Sequence, residues 1–435
     1  MAVWKNCTKQ TIMFRTLSKK TYSHLFWIIT IAVLTLYNLT PSIGGFDVPY
    51  YYLAGEHLWN GELDCLRTPV YPFLLKVFDV CLGHKGGIAG IIILQSIVYL
   101  ISVSSLKSIT TQVIENRRID YAVMLLYVLC VAPGWCNELL TESLSISGCV
   151  IIADLIIRYI KKPTIGISLA IALLTVLLVF LRPSFIFLFA ILPFVWVVLW
   201  FRKKQRLVQT ASLALTLMCI SCYYVYNKAY QKEYGVFTSS ISFVCNDIYN
   251  LKRSGVWNIE KVSNPQTKQL FDQIENSINY EPIYREIDNN HKSLPAIVEG
   301  CNEMKAGNEK TLREYQIKIT AASFDKRFSA AVNTHTPLSA LLFASSLFLA
   351  LPLSLFYSIV VVSLLALIVY FIQKRSLPLI ATVIILFTAA QCVGIILYAS
   401  EAHERLLLPV YPMFLILLGK TFERICDFIN RQYTN

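Results

Sequence analysis

The sequence predicts an all-α polytopic membrane protein of about ten transmembrane helices, with an insertion of helices and loops on its outer face. Three observations predict it. Of 435 residues, 55% are hydrophobic and 15% charged, whereas a soluble domain carries about 25% charged residues. Apolar runs recur from Trp27 to Leu418, many near the length that crosses a bilayer, and the mean hydropathy is +0.54. The basic residues sit in short clusters between these runs, the pattern that fixes orientation in a membrane. The net charge of +12 is therefore read as bilayer topology, with membrane lipids as partners and no nucleic acid.

In chain order the expected spans are His24–Ile43, Gly87–Leu106, Ile119–Val131, Leu139–Tyr159, Ile165–Leu181, Ser184–Phe201, Leu207–Tyr226, Pro352–Ile372, Leu377–Tyr398 and Leu406–Phe422. The first reads as a retained anchor, because no small-residue cleavage site follows Thr40. Leu338–Ala350 is apolar but short, a re-entrant helix or half of an extra span. Lys5, Lys9, Arg15, Lys19 and Lys20 place the N-terminus in the cytoplasm. Alternation then puts Lys107–Arg118, Arg158–Lys162, Arg202–Arg206, Gln373–Ser376 and the tail with Arg424 and Arg431 on the same side, and each carries basic residues. The opposite turns are Gly44–Gly86, Ala132–Glu138, Arg182–Pro183, Asn227–Leu351 and Ala399–Arg405. Residues 227–336 are too long for a plain connection and read as an extracytoplasmic insertion. It lies between an N-terminal membrane module, 1–226, and a C-terminal one, 337–435. The sequence has no internal repeat and no low-complexity segment.

Of twelve cysteines, Cys130, Cys149, Cys219 and Cys392 are among those in apolar spans, where a thiol acts as a small hydrophobe. Cys65, Cys136, Cys245 and Cys301 fall in outer segments. Cys245 with Cys301 is either a loop disulfide or two thiols, since sequence does not give the separation a bridge needs. The one C-x-x-C spacing, Cys219 to Cys222, falls inside an expected apolar span, and no metal ligands are assigned.

The first outer segment reads Gly44-Gly45-Phe46-Asp47-Val48-Pro49-Tyr50-Tyr51-Tyr52-Leu53-Ala54, then Arg67-Thr68-Pro69-Val70-Tyr71-Pro72. Asp47 follows the first span closely. A carboxylate there could take a proton from a hydroxyl, or be a solvated loop acid. Arg67 could hold a lipid phosphate through paired hydrogen bonds, or anchor headgroups. The tyrosines, Tyr51 among them, fit an interfacial belt or a sugar platform. In the second outer turn Glu138 and Glu142 stand four apart at a helix start, on one face. An acid entering a span is costly unless it meets a cavity or a partner, although an N-terminal acid also complements the helix dipole. The last outer turn reads Glu401-Ala402-His403-Glu404-Arg405-Leu406-Leu407-Leu408-Pro409-Val410-Tyr411-Pro412, and His403 fits a structural role as well as a catalytic one. Arg67, Arg182 and Arg405 thus all fall near prolines on the outer face, the unexpected side for arginine. An anionic ligand would account for them, and so would internal ion pairs with Asp47, Glu138 or Glu142.

Asp47 just after the first span, the Arg-Thr-Pro-x-Tyr-Pro run from Arg67, Thr141-Glu142, and Glu-Arg-x-x-x-Pro-x-Tyr-Pro ending at Pro412 resemble the membrane-embedded GT-C glycosyltransferases. The resemblance is to the bacterial branch related to protein O-mannosyltransferases and the lipid A aminoarabinose transferase. The chain departs from many members in having Val48, not a second acid, beside Asp47. The resemblance implies a polyprenyl-phosphate sugar as donor and a glycan, lipid or protein acceptor. It implies Asp47 as general base in one inverting displacement and Arg67, Arg182 and Arg405 on the donor phosphate. Tyr51, Glu138, Glu142, Glu401 and His403 would bind or orient sugar and acceptor. It also implies a multi-pass protein of the bacterial inner membrane with its site facing outward, and no cofactor. There is no Gly-rich phosphate loop and no Asp-x-Asp pair for a nucleotide sugar. The alternative is a flippase, a transporter or another membrane protein of lipid-linked envelope polysaccharide assembly, which predicts broken helices and mid-bilayer charges.

Overall fold

The computed structural model describes residues 19–38, 47–131, 135–202, 205–275, 280–322, 353–374, 378–398 and 406–434. The short apolar stretch Leu338–Ala350 and the predicted site residues Glu401, His403 and Arg405 lie outside the described residues. The fold is all-α, and among the described residues there is no strand.

Within the described residues, every expected span falls largely on a helix. The bundle consists of α1 (Lys19–Asn38), α3 (Val70–Val113), α4 (Arg117–Leu126) with a π-helical turn at Tyr127–Val131, α5 (Glu142–Lys161), α6 (Ile165–Leu181), α7 (Leu188–Phe201), α8 (Arg206–Tyr234), α14 (Leu353–Lys374), α15 (Leu379–Tyr398) and α16 (Tyr411–Thr434). Six helices among the described residues are long and apolar enough to cross a membrane, and two shorter apolar ones accompany them. α5 sits at the centre. It buries residues on every side, from Glu142 through Ile160, and Gly148 lets Leu178 of α6 pack directly against its backbone. Small residues at such crossings let membrane helices approach. α14 lies at the periphery, with Val361, Val362, Leu365, Ile368 and Val369 exposed, the surface that faces lipid.

Ion pairs close the end of the bundle marked by Lys107. Its ammonium meets Asp120 at 2.5 Å, Arg158 meets Asp154 at 2.6 Å, and Lys420 meets Glu423 at 2.7 Å. A small cavity lined by Ser23, Phe26, Trp27, Lys107, Tyr121 and Met124 lies at this end too.

The opposite end is more elaborate than the sequence suggested. The first outer segment is not a loop but two packed helices. α2 (Val48–Trp59) runs against the first third of α3, which bends at Gly83 (φ 70°) before entering the bundle. A left-handed backbone is open to glycine at no steric cost. α2 and α3 touch where Gly55 meets Pro72, since a Cβ at Gly55 would stand 2.9 Å from the Pro72 carbonyl oxygen. Lys76 and Glu56 close the pair at 2.6 Å. Gly55→Val is expected to force the two helices apart and cost about 1–3 kcal/mol, read as a lower unfolding midpoint in detergent. An unchanged midpoint would mean that this contact does not set the spacing.

α8 continues two turns past the expected span end at Tyr226 and stops at Gly235 (φ 76°), a left-handed helix end,. The insertion folds beyond it as α9 (Ser242–Arg253), α10 (Pro265–Glu275), α11 (Tyr280–Asn289), α12 (Leu294–Lys305) and α13 (Glu309–Ala322). Its core of Ile241, Val244, Ile248, Phe271, Ile297 and Met304 is separate from that of the bundle, yet it includes Cys65 and Leu66 from the first outer segment. Cys245 and Cys301 are buried in it as free thiols, so the unbridged alternative is the one found. A hydrophobic core supplies the packing that a bridge would otherwise add.

Candidate functional site

Arg67 and its surroundings are built by a turn that the sequence reading overlooked. The Asp64 carboxylate accepts the backbone N–H of Leu66 at 2.9 Å and of Arg67 at 2.6 Å. Its other oxygen lies 3.0 Å from His57 Nδ1. An Asp that bonds its own backbone two and three residues on is a turn device, so Asp-x-x-Arg was the available signal. Burial raises the Asp64 pKa, against the lowering pull of the Arg67 N–H and His57. The insertion grips the same stretch. Tyr230 and the Ile241 N–H donate to the Cys65 carbonyl at 2.8 and 2.9 Å, Ser240 donates to the Leu66 carbonyl at 2.6 Å, and Tyr234 donates to the Leu63 carbonyl.

Held in this way, Arg67 reaches back to the start of α2. Asp47 occupies the N-cap position but makes no capping bond with its side chain, although Asp is among the residues that commonly do. Its Oδ1 instead accepts Arg67 Nη2 at 2.6 Å, with the two side chains 17% and 12% exposed. The Arg67 guanidinium also lies 4.7 Å from the centre of the Tyr51 ring, within cation–π range. Tyr51 packs edge-on against Tyr71, 5.0 Å between ring centres.

The second pair joins α5 and α6. Glu142 is the first residue of α5 and fully buried, and its Oε1 accepts Arg182 Nη2 at 3.3 Å. Arg182 lies at the α6 C-cap, before Pro183 starts a 3-10 turn at Pro183–Phe187. Thr68 donates to the Leu181 carbonyl at 3.2 Å, which ties the residue after Arg67 to the residue before Arg182. Burial raises the Tyr51 pKa most, Arg67 opposes it, and Asp47, Glu142 and Arg182 act more weakly. All four charges therefore lie within electrostatic reach of one phenol.

Four of the expected residues thus converge with Tyr51: Asp47, Arg67, Glu142 and Arg182. They do so as the internal ion pairs that the sequence left open, Arg67 with Asp47 and Arg182 with Glu142. The expectation that Glu138 and Glu142 share a helix face is corrected. α5 begins at Glu142, and Glu138 lies in irregular backbone before it, its carbonyl accepting Gln95 Nε2 at 2.9 Å. Helical spacing cannot relate two residues when only one is helical. Gln95 also donates to the Cys136 carbonyl and lies 3.2 Å from Tyr71 Oη. A glutamine inside an apolar run was the sequence signal for it. A third overlooked set is Cys65, Asp288 and His291, whose ligand atoms lie within 4.8 Å of one another. Cys65 and the Asp288 to which it is hydrogen-bonded stand 223 positions apart, so no local spacing announces the set.

No family model and no curated protein matches the chain. Among solved structures it is similar to the archaeal oligosaccharyltransferase AglB of Archaeoglobus fulgidus, in complex with an inhibitory peptide and a dolichol-phosphate. That match has a TM-score of 0.49 and 14% identity, over 96% of this chain and 52% of that one. An oligosaccharyltransferase of Archaeoglobus fulgidus in the apo form matches at the same TM-score with 11% identity, over 96% and 52%. ArnT from Cupriavidus metallidurans bound to undecaprenyl phosphate matches at a TM-score of 0.37 with 11% identity, over 91% and 78%. The chain spans about half the length of the oligosaccharyltransferase it matches.

Proposed function

We propose that the chain is a GT-C glycosyltransferase that moves a sugar from a polyprenyl-phosphate carrier to an acceptor hydroxyl on the non-cytoplasmic face of a membrane. The observation that carries this reading is the gathering of Asp47, Arg67, Glu142 and Arg182 around Tyr51, from three segments remote in sequence, at one end of an apolar bundle. Two guanidinium groups at the rim of a bilayer are suited to a lipid phosphate, which they can bind with paired, charge-assisted hydrogen bonds. Arriving phosphate would share Arg67 and leave an Asp47 oxygen for the acceptor. As the acceptor oxygen bonds to the anomeric carbon, its proton passes to Asp47. The bond from that carbon to the phosphate oxygen breaks, and the configuration inverts. The leaving phosphate keeps the bonding electrons, so it needs compensating positive charge more than a proton. Arg67 and Arg182 supply that charge, with Arg405 as the third arginine of the set. Tyr51, Glu138, Glu142, Glu401 and His403 orient sugar or acceptor. A bacterial inner membrane with the site facing the periplasm is the setting this reading favours.

The test is transfer by the purified full chain from polyprenyl-phosphate sugars of defined headgroup to lipid, glycan and protein acceptors. The expected result is a product of inverted anomeric configuration with release of polyprenyl phosphate. Losing one charged hydrogen bond costs about 1.5–3 kcal/mol. Arg182→Gln is therefore expected to lower kcat/KM for the donor by about 10- to 100-fold. Unaltered donor kinetics in Arg67→Gln and in Arg182→Gln would remove both from the phosphate.

A further inference from the structure

The first outer segment and the insertion meet at three side chains that the transfer reaction does not use. We infer that Cys65, Asp288 and His291 form a zinc-class divalent cation site that fastens the insertion to the segment carrying Arg67. Their ligand atoms all lie within 4.8 Å of one another. Tetrahedral zinc with sulfur at about 2.3 Å and nitrogen or oxygen at about 2.0–2.2 Å places its ligands about 3.3–3.8 Å apart. Side-chain adjustments of about an ångström complete the geometry. The donors are chemically mixed: a thiolate, an imidazole and a carboxylate. Soft sulfur and imidazole favour zinc over magnesium or calcium, which take oxygen ligands.

The surroundings fit such a site. Cys65 is 4% exposed, and its Sγ lies 2.9 Å from Asp288 Oδ1. Among the described residues no lysine or arginine forms an ion pair with Asp288, so a cation there would meet uncompensated negative charge, reinforced by the field of nearby Asp64. His291 Nδ1 lies 2.6 Å from the Asp288 carbonyl oxygen, and the Tyr234 ring packs edge-on against the imidazole at 5.6 Å. An imidazole with one nitrogen donating to a backbone carbonyl presents the other as a lone-pair donor, the outer-sphere arrangement typical of zinc histidines. A fourth position remains for water. Asp288 lies in the last turn of α11, and His291 opens the 3-10 turn His291–Ser293 three residues on. Two ligands thus come from the insertion and one from the turn that presents Arg67. The ion would act by positioning and is independent of the proposed transferase activity.

The experiment uses the full chain purified in detergent without chelator. Elemental analysis is expected to give about one zinc per chain, and added Zn2+ to raise the unfolding midpoint. Co2+ bound to the zinc-stripped protein should show a near-ultraviolet thiolate-to-cobalt band. Cys65→Ser retains a hydroxyl donor for Asp288 but should lose the band and the zinc. Cys65→His should recover zinc without the band. If the unsubstituted chain binds Co2+ without a thiolate band, or if its zinc content equals that of both Cys65→Ser and His291→Ala, the trio is only a hydrogen-bonded contact and the proposal falls.

Discussion

Asp47→Asn is expected to lower sugar transfer by at least about 100-fold, the smaller end of what a positioned general base contributes. The substitution isolates basicity from geometry. Asparagine keeps an oxygen that can accept Arg67 Nη2, now 2.6 Å from Asp47 Oδ1, so the arginine should stay in place. What is lost is the group that can take the acceptor proton. Both side chains are mostly buried, 17% and 12% exposed, but asparagine leaves the guanidinium a hydrogen-bond acceptor, so no donor is stranded. The unfolding midpoint should therefore move only slightly. The check is turnover and melting of the same preparation. Near-normal turnover would dismiss Asp47 as the base, and a collapsed midpoint would show that the pair is a structural element first.

The second large effect concerns the other pair and falls on stability. Glu142 is fully buried and Arg182 only 14% exposed, so Glu142→Ala strands a guanidinium in a poorly solvated place. Removing one partner of a buried pair costs about 3–5 kcal/mol. The figure here should lie toward the lower end, because Arg182 keeps some contact with solvent,. Glu142→Ala combined with Arg182→Met removes the stranded charge, and the double variant is expected to melt above Glu142→Ala alone. A cycle in which the two substitutions simply add would mean that the 3.3 Å contact carries no coupling,.

The bundle was legible because apolar runs and basic clusters are dictated by the bilayer, so among the described residues each predicted span falls largely on a helix. Asp154 and Arg158 meet as a local pair because they stand four apart on one helix,. Pairings outside regular helices were not readable. The shared face expected of Glu138 and Glu142 assumed a helix starting earlier than α5 does. The helices α2 and early α3 lie in a segment rich in Tyr, Pro and Gly, whose helical state depends on packing against a neighbour through Gly55. The arginine-to-acid pairing itself was among the alternatives. Which arginine meets which acid depends on the bond from Thr68 to the Leu181 carbonyl and on the turn built by Asp64. Neither contact leaves a periodic trace, because each joins irregular backbone to something distant in sequence.

The backbone from Leu63 to Leu66 is hydrogen-bonded on its carbonyl side almost wholly by residues 230–242. A truncated chain that skipped from before Tyr230 to α14 would therefore not be the same bundle without its cover. The Leu63, Cys65 and Leu66 main-chain oxygens would lose these donors, and the stretch of peptide that aims the Arg67 guanidinium would be released to water. Evolution could vary the exposed rim of that appendage freely, but not its root. Any change in acceptor preference should be sought among its outward helices and not in the residues that clasp the membrane-proximal turn.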